Sequence, residues 1–244
     1  MSVPADWIVP DWPAPPRVHA LITTRSGGAS RGPYASFNLG AHVGDDPEAV
    51  ARNRQALRQW LPAEPLWMNQ VHGNRVIEAD PRVLDEEADG AVAHAPGRVC
   101  AVLTADCLPV LLADAGGTAV GIAHAGWRGL AGGVIESAAG AMAVPGASLV
   151  AYLGPAIGAA VYEVGPEVRD AFVADDAQAL LAFAPRPGGK FLADLGVLAR
   201  QRLLRMGVSR IFGGTLCTYS EARRFYSYRR DGMTGRMASL IWLE

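Results

Sequence analysis

The stretch VCAVLTADCLPVLLADAGGTAVGIAHAGWRGLAGGVIESAAGAM, residues 99–142, decides the fold. Residues 99–114 are almost unbroken apolar sequence, the pattern of buried β structure, and Pro109 is expected to interrupt it or mark an edge. TAVGIAHAG (118–126) reads as another apolar strand. WRGLAGG leads from it into a helix over VIESAAGAM (134–142). Strands and helices are interleaved here and along the chain, which points to α/β layers.

Working outward toward the N-terminus, the first 16 residues hold five of the 17 prolines (Pro4, Pro10, Pro13, Pro15 and Pro16) and should be extended. A strand over VHALITTR (18–25) enters a long Gly/Ser/Pro-rich loop, SGGASRGPYASFNLG, of the kind that usually serves function. GDDPEAVARNRQALRQWL (44–61) predicts a helix capped by Asp46 with Pro47 at its first position. Val50, Leu57 and Leu61 share its buried face, and Asn53-Arg54 falls on a solvated one. LWMNQVHGNRVIEA (66–79) suggests two short strands around a turn at His72-Gly73-Asn74, whereas ADGAVAHAP (88–96) has no decisive period. Toward the C-terminus, SLVAYLGPAIGAAVYEVG gives a strand, a Gly/Pro loop and a return. Helices near 166–182 and 194–206 follow, then strands over VSRIFGGTL and RMASLIWLE. Short hairpin-like strands are too frequent for a purely parallel sheet. The fold class is therefore α/β (α+β): a single-domain layered sandwich with mixed β-sheets over residues 1–244.

Composition narrows the chemistry. A chain of 244 residues buries a core without disulfides. No uncharged apolar run reaches the roughly 18 residues of a membrane span, and the start has no secretory signal, so a cytoplasmic location is expected. The single lysine, Lys190, leaves no phosphate loop of the GxxxxGK[ST] type. Three cysteines (100, 107 and 217) without a CxxC pair exclude a thiolate zinc ribbon and a thioredoxin-type site. Five histidines (19, 42, 72, 94 and 124) are too few for a four-copper oxidase but suffice for one mononuclear metal site. A net charge of −2 argues against nucleic acid as partner.

His72, Cys107 and His124 each lie at a strand end or turn among small residues, in NQVHGN, TADCLP and AHAGWRG. Two imidazoles and a thiolate make a three-ligand zinc set with a fourth position open. On residue type alone, Cys107 with His124 equally suits a cysteine nucleophile with its base, and each residue also suits a purely structural role. Arg128 follows His124 at a strand-to-helix turn suited to an anion. Arg25, Asn38 and His42 on the Gly-rich loop suit a polar substrate, or the loop's own carbonyls. CTYSEARRFYSYRRDGMTGR (217–236) offers Phe225, Tyr226 and Tyr228 for stacking on a base, with Arg229 and Arg230 for an anion. In a strand Phe225 and Tyr226 would alternate, so part of this set is core. Cys217 is assigned to the interior, and Cys100, at an odd separation from Cys107 and so on the opposite side of a continuous strand, is left out of the site with it.

Together TTRSGG (23–28), FNLGAHVGDDP (37–47), Asn53-Arg54, NQVHG (69–73), ADCLPVLL (105–112), AHAGWRG (123–129), LGPAIG (153–158), YEVGPEV (162–168), CTYSE (217–221), FYSYRRDG (225–232) and the Gly235-Arg236 pair resemble the YfiH or laccase-domain family. Its members are also labelled polyphenol oxidase, peptidoglycan editing factor or purine nucleoside phosphorylase. The resemblance runs from Thr23 to Leu243 with the motifs in order. It implies a sandwich fold shared with bacterial toxin cysteine hydrolases, and a metal site formed by His72, Cys107 and His124. It further implies phosphorolysis of adenosine, inosine, guanosine and methylthioadenosine, with adenosine deamination alongside.

On that reading zinc is the metal, copper an alternative occupant, and purine nucleoside and phosphate are the partners. Arg128 and Arg54 are candidate phosphate or ribose ligands, Asn38 and His42 contacts to ribose or base, and Tyr228 a stacking platform. Two other functions are weighed. One is an amidase that removes L-serine from UDP-linked muramyl precursors, by metal-activated water or a Cys107/His124 dyad. The other is a metal-stabilised binding module, which requires a fourth protein ligand, with His94 as the nearby candidate.

Overall fold

A computed structural model of the chain describes residues 3–80, 82 and 86–244. In chain order the elements begin with β1 (Val18–Ile22), α1 (Pro47–Arg58), β2 (Pro65–Leu66), β3 (Val76–Glu78) and β4 (Gly90–Ala93). The centre holds β5 (Val99–Thr104), β6 (Leu108–Asp114), β7 (Val120–Ala125), α2 (Trp127–Ala131), α3 (Val134–Ala141) and β8 (Leu149–Leu153). β9 (Glu163–Val164), α4 (Pro166–Val173), β10 (Phe183–Pro185), β11 (Phe191–Ala193), α5 (Leu195–Arg205), β12 (Arg210–Gly213), α6 (Tyr228–Asp231) and β13 (Met237–Leu243) follow.

Two mixed sheets lie face to face, one ordered β1-β13-β5-β2 and the other β12-β8-β6-β7-β4-β3; a small third sheet is ordered β10-β11-β9. Alternation along the strands assigns every apolar residue a layer. In β5, Cys100 and Val102 point between the two large sheets, while Val99, Ala101 and Leu103 pack under Leu57, Phe37 and Leu39 of α1 and its preceding loop. In β6, Leu111 and Ala113 point between the sheets, while Leu108, Val110 and Leu112 meet Leu130, Ile135 and Leu198 of the helical layer. The continuous apolar run of 99–114 follows from this, since each strand is covered on both faces. The architecture is helix, sheet, sheet, helix, as the layered reading requires.

The run is nevertheless two strands in different sheets, split at Asp106-Cys107 where Asp106 takes φ 91°. Pro109 neither interrupts β6 nor marks an edge: it pairs in register with His124 of β7, and its carbonyl accepts Gly154 N at 2.9 Å. Proline is tolerated there because it forfeits only a donor, near the first residue of the strand. The strands flanking His72 are likewise in different sheets, β2 in one and β3 in the other, so the turn is a crossover and not a hairpin. The helix expected near 166–182 ends at Val173, and Asp176 caps a separate turn by accepting Gln178 N. The proline-rich start joins the core, with Trp7 buried and Ile8 bridged to Ile22. Among the described residues no helix is long and apolar enough to cross a membrane.

α1 is capped by Asp46 and opened by Pro47 as predicted. Its Asn53 corrects the expectation of a solvated face. The side chain is 1% exposed and both ends of its amide are bonded: Oδ1 accepts Ala29 N at 2.8 Å, and Nδ2 donates to Ser30 Oγ, Ser36 O and Asn38 O. A buried amide so used fixes the Gly-rich loop on the helix. Asn53→Ala should lower unfolding free energy by about 2–3 kcal/mol in urea titration, because several loop groups lose their partner. Arg52→Ala, on the exposed side of the same helix, should change it by less than about 0.5 kcal/mol.

Candidate metal centre

Asp89, just ahead of β4, organises the centre. Its carboxylate is fully buried and accepts three successive backbone amides of the 71–73 turn, from Val71 at 3.1 Å, His72 at 2.9 Å and Gly73 at 2.6 Å. The same carboxylate takes His124 Nδ1 at 2.8 Å. An ionised carboxylate only accepts, so His124 carries its proton on Nδ1 and offers Nε2. His72 has a left-handed backbone (φ 61°), a conformation a bulky residue holds only where its surroundings fix it. The Asp89 amide contacts supply that fixation.

Cys107 enters from the turn between β5 and β6, with its Sγ 3.8 Å from His72 Nε2. One ligand atom from each of His72, Cys107 and His124 lies within 4.8 Å of the others. Tetrahedral zinc with ordinary Zn–N and Zn–S bonds sets such donors roughly 3.3–3.6 Å apart, so only a small closure would be needed for the three to hold one ion. Two glycines make room. A Cβ on Gly126 would meet His72 Cδ2 at 2.9 Å and Cys107 Sγ at 3.0 Å, and one on Gly129 would meet the Gly73 carbonyl at 2.6 Å. Donor type, spacing and the Asp89–His124 support all fit zinc, with copper compatible by donor softness.

Charge within the cluster is coupled. Burial pushes the Cys107 thiol up, but the neighbouring His124 outweighs it and brings the pKa down to about 6. Burial works to lower His124, yet the Cys107 thiolate and Asp89 raise it to about 9. Burial disfavours ionised Asp89 too, and its bonds from His124 and the turn amides hold it below the usual carboxylate range. At neutral pH the metal-free cluster is thus a thiolate beside an imidazolium, the protonation that a metal ion replaces.

Beside the cluster is a cleft of about 300 Å³ whose wall includes His72, Cys107, Asp106, Ile157, Trp127, Arg128, Tyr162, Tyr228 and Arg229. That volume is at the small end of ligand pockets. The sequence candidates Arg128 and Tyr228 are in the wall. Arg128 lies over the Trp127 ring at 4.5 Å and Tyr228 is 61% exposed. Asn38, His42 and Arg54 are not part of this wall. Asn38 is corrected outright as a ligand contact: it is fully buried, with Nδ2 donating to Gly40 O and Asp45 Oδ2 while Oδ1 accepts from Gly40 N and Arg236 N. Arg54 donates twice to Leu39 O and stacks over Trp67.

His94 is also corrected as a fourth ligand. It pairs with Glu78 at 3.0 Å and contacts the Met142 carbonyl, and among the described residues no other His, Cys, Asp or Glu joins the three donors. Phe225 and Tyr226 do not alternate in a strand; both are fully buried in the irregular segment ahead of α6, and Arg230 is spent on the carbonyls of Thr218, Tyr219 and Phe225. Cys100 is buried and apart from the three donors, whereas Cys217, expected in the interior, is only half-buried and accepts Gly158 N.

Sequence reading missed Asp89, Asp106, Ile157 and Tyr162. Asp106 accepts Thr218 Oγ1 at 2.6 Å and Arg229 N at 2.7 Å, joining the Cys107 turn to the far wall. The available signal was an acidic residue in each of two small-residue segments, ADG and ADC.

Residues 19–244 match the family described as multi-copper polyphenol oxidoreductase laccase. The chain is 55% identical over 240 residues to a purine nucleoside phosphorylase of Pseudomonas aeruginosa, covering 98% of each. It is 52% identical to the purine nucleoside phosphorylase YfiH of Escherichia coli, covering 97% of this chain and 98% of that one. A crystal structure of a Neisseria meningitidis protein superposes with a TM-score of 0.95 at 53% identity, covering 98% and 99% of the two chains. YlmD from Geobacillus stearothermophilus gives 0.87 at 32% identity, covering 94% and 93%.

The coupled charges make Cys107 a reactive thiol in metal-free protein. Iodoacetamide alkylation of its peptide, followed by mass spectrometry, should rise through a midpoint near pH 6 as the thiolate forms. Equimolar zinc should suppress it. Cys100, which burial holds protonated, should react only on unfolding.

Proposed function

This chain belongs to the multi-copper polyphenol oxidoreductase laccase family, and from that premise we propose that it is a zinc-dependent purine nucleoside phosphorylase that also deaminates adenosine. The observation that carries the reading is a three-donor cluster in which His72 and Cys107 face a cationic cleft containing aromatic rings and His124 lies buried behind them. Relatives over half identical, matched over 97–98% of both chains, carry the phosphorylase name. The multi-copper name fits the donors poorly. Of the five histidines, His19 is stacked on Trp242 and bonded to Glu244, His94 is held by Glu78, and His42 is outside the donor group. Two imidazoles and one thiolate do not make a four-copper set.

His72, Cys107 and His124 hold the metal in this reading, and zinc there would supply Lewis acidity for hydrolytic deamination. The chain's own residues account for recognition. Tyr228 offers an exposed ring for stacking on the purine. Burial pushes the Tyr162 hydroxyl up to about 12, so it stays protonated and can donate to a purine nitrogen or to the departing base. Arg128 and Arg229 make the cleft attractive to phosphate, and neither is in an ion pair among the described residues. Phosphorolysis transfers the ribosyl group from the purine nitrogen to a phosphate oxygen, so a cleft that gathers base and anion side by side suits it. Adenosine, inosine, guanosine and methylthioadenosine are the substrates expected, in the cytoplasm.

One feature favours a second reading. Asp89, His124 and Cys107 form an acid–imidazole–thiol series, the arrangement of a cysteine hydrolase, which suits amide cleavage in a UDP-linked muramyl precursor.

Zinc-loaded protein given inosine and phosphate should release hypoxanthine and ribose 1-phosphate, with nothing released when phosphate is omitted. His72→Ala should abolish this, and Arg128→Ala should raise the KM for phosphate about tenfold with a smaller change in kcat. Serine release from the muramyl precursor, with no hypoxanthine from inosine, would reverse the order of the two readings.

A further inference from the structure

The Gly235-Arg236 pair, one of the sequence motifs, has no part in the chemistry above, and Arg236 is unusually placed. It precedes β13, and its backbone amide is fixed at 2.8 Å by Asn38 Oδ1. Its stem lies along Gly40, where a Cβ would meet Arg236 Cγ at 2.8 Å. Its Nη1 donates only to the adjacent Thr234 and Gly235 carbonyls. Nε and Nη2 make no hydrogen bond, and no carboxylate lies within ion-pairing distance of it among the described residues. Half-buried cations are ordinarily paired, because desolvation is costly and a partner offsets it.

The surroundings add like charge. His42 lies on the same loop as Gly40, and its pKa is lowered by burial first and then by the charges of Arg236 and Arg54. Arg236 itself is lowered by burial, with Cys107, Asp106, Tyr228 and Tyr34 acting in the opposite direction. Its guanidinium carbon is 5.9 Å from the centroid of the Tyr228 ring, which also walls the 300 Å³ cleft. Arg236 is outside that wall, so the two places share Tyr228 as a boundary. Concentrated positive charge with unspent donors beside a binding cleft is what an anion site requires.

We infer that Arg236, with His42 and Arg54 beside it, forms a second anion subsite next to Tyr228, and that its ligand is a phosphate group, either free or as a sugar phosphomonoester. The choice of phosphate rests on the phosphorylase reading; the existence of the subsite rests on the placement of Arg236. Asn38 and Gly40 then have a common purpose: they hold and accommodate the arginine, and act on ligand through it.

The test is calorimetric titration of zinc-loaded protein with inorganic phosphate and, separately, ribose 1-phosphate, together with thermal unfolding in phosphate-free buffer. Wild type should bind at least one, and which one it binds identifies the source of the phosphate. Arg236→Gln should weaken that binding roughly tenfold or more, and Arg236→Lys should recover part of it. Without ligand, Arg236→Gln should melt no lower than wild type, because an uncompensated charge has been removed. His42→Gln, on the loop and outside the hydrophobic core, covers the case of poorly folded arginine variants and should weaken binding several-fold. Affinity within twofold of wild type in Arg236→Gln, or in His42→Gln if the arginine variants do not fold, overturns the subsite, as does wild type that binds neither phosphate. Arg236-dependent phosphate binding by a protein that cleaves no inosine would sink the phosphorylase reading and leave the subsite in place.

Discussion

The Asp89 carboxylate is fully buried, and four donors meet it: three amides of one turn and one imidazole. An uncompensated carboxylate at that depth would cost several kcal/mol, so the charge and its donors stand or fall together. One anion thereby fixes the backbone of His72 and the tautomer of His124. The three candidate donors are thus held in place by the protein itself, and the thiolate of Cys107 finds an imidazolium opposite it. Glycines at 126 and 129 follow from the same constraint, since the turn held by Asp89 lies too close to α2 for any side chain there.

The sandwich supplies what Asp89 cannot, which is the convergence of distant segments. β5 and β6 are consecutive but lie in opposite sheets, and the short link between them carries Asp106 and Cys107. β7 returns beside β6 in register, bringing His124 opposite Pro109. Asp106 then reaches across the cleft to Thr218 and the Arg229 amide, so the wall bearing Tyr228 and Arg229 is positioned from the cysteine turn itself. Donor set and recognition surface are parts of one hydrogen-bonded unit.

Much of this was legible in the sequence because burial on two faces is a compositional property. The apolar runs of 99–114 and 118–126 announce covered strands, and the small residues around His72, Cys107 and His124 announce close approach. What was illegible depends on register. Asn53 falls on a helix face that composition leaves polar, and only the loop folded over it makes that face interior. Asn38 has the chemistry of a substrate contact, yet its four bonds go to its own loop and Arg236. Asp89 stands in a segment without a period, and its role exists only once three other segments arrive. The division of 99–114 between two sheets was hidden too, because a left-handed aspartate in an apolar run resembles any other turn-tolerant polar residue.

Two of the three donors therefore sit on segments that pass from one large sheet to the other: His72 between β2 and β3, and Cys107 between β5 and β6. The third is rooted in β7 of the six-stranded sheet. An ion gripped by all three is a rivet through the rim of the sandwich, and whatever prises the sheets apart at that rim also loosens its grip. Occupancy of the centre and cohesion of the two sheets are, at this edge of the molecule, a single mechanical property.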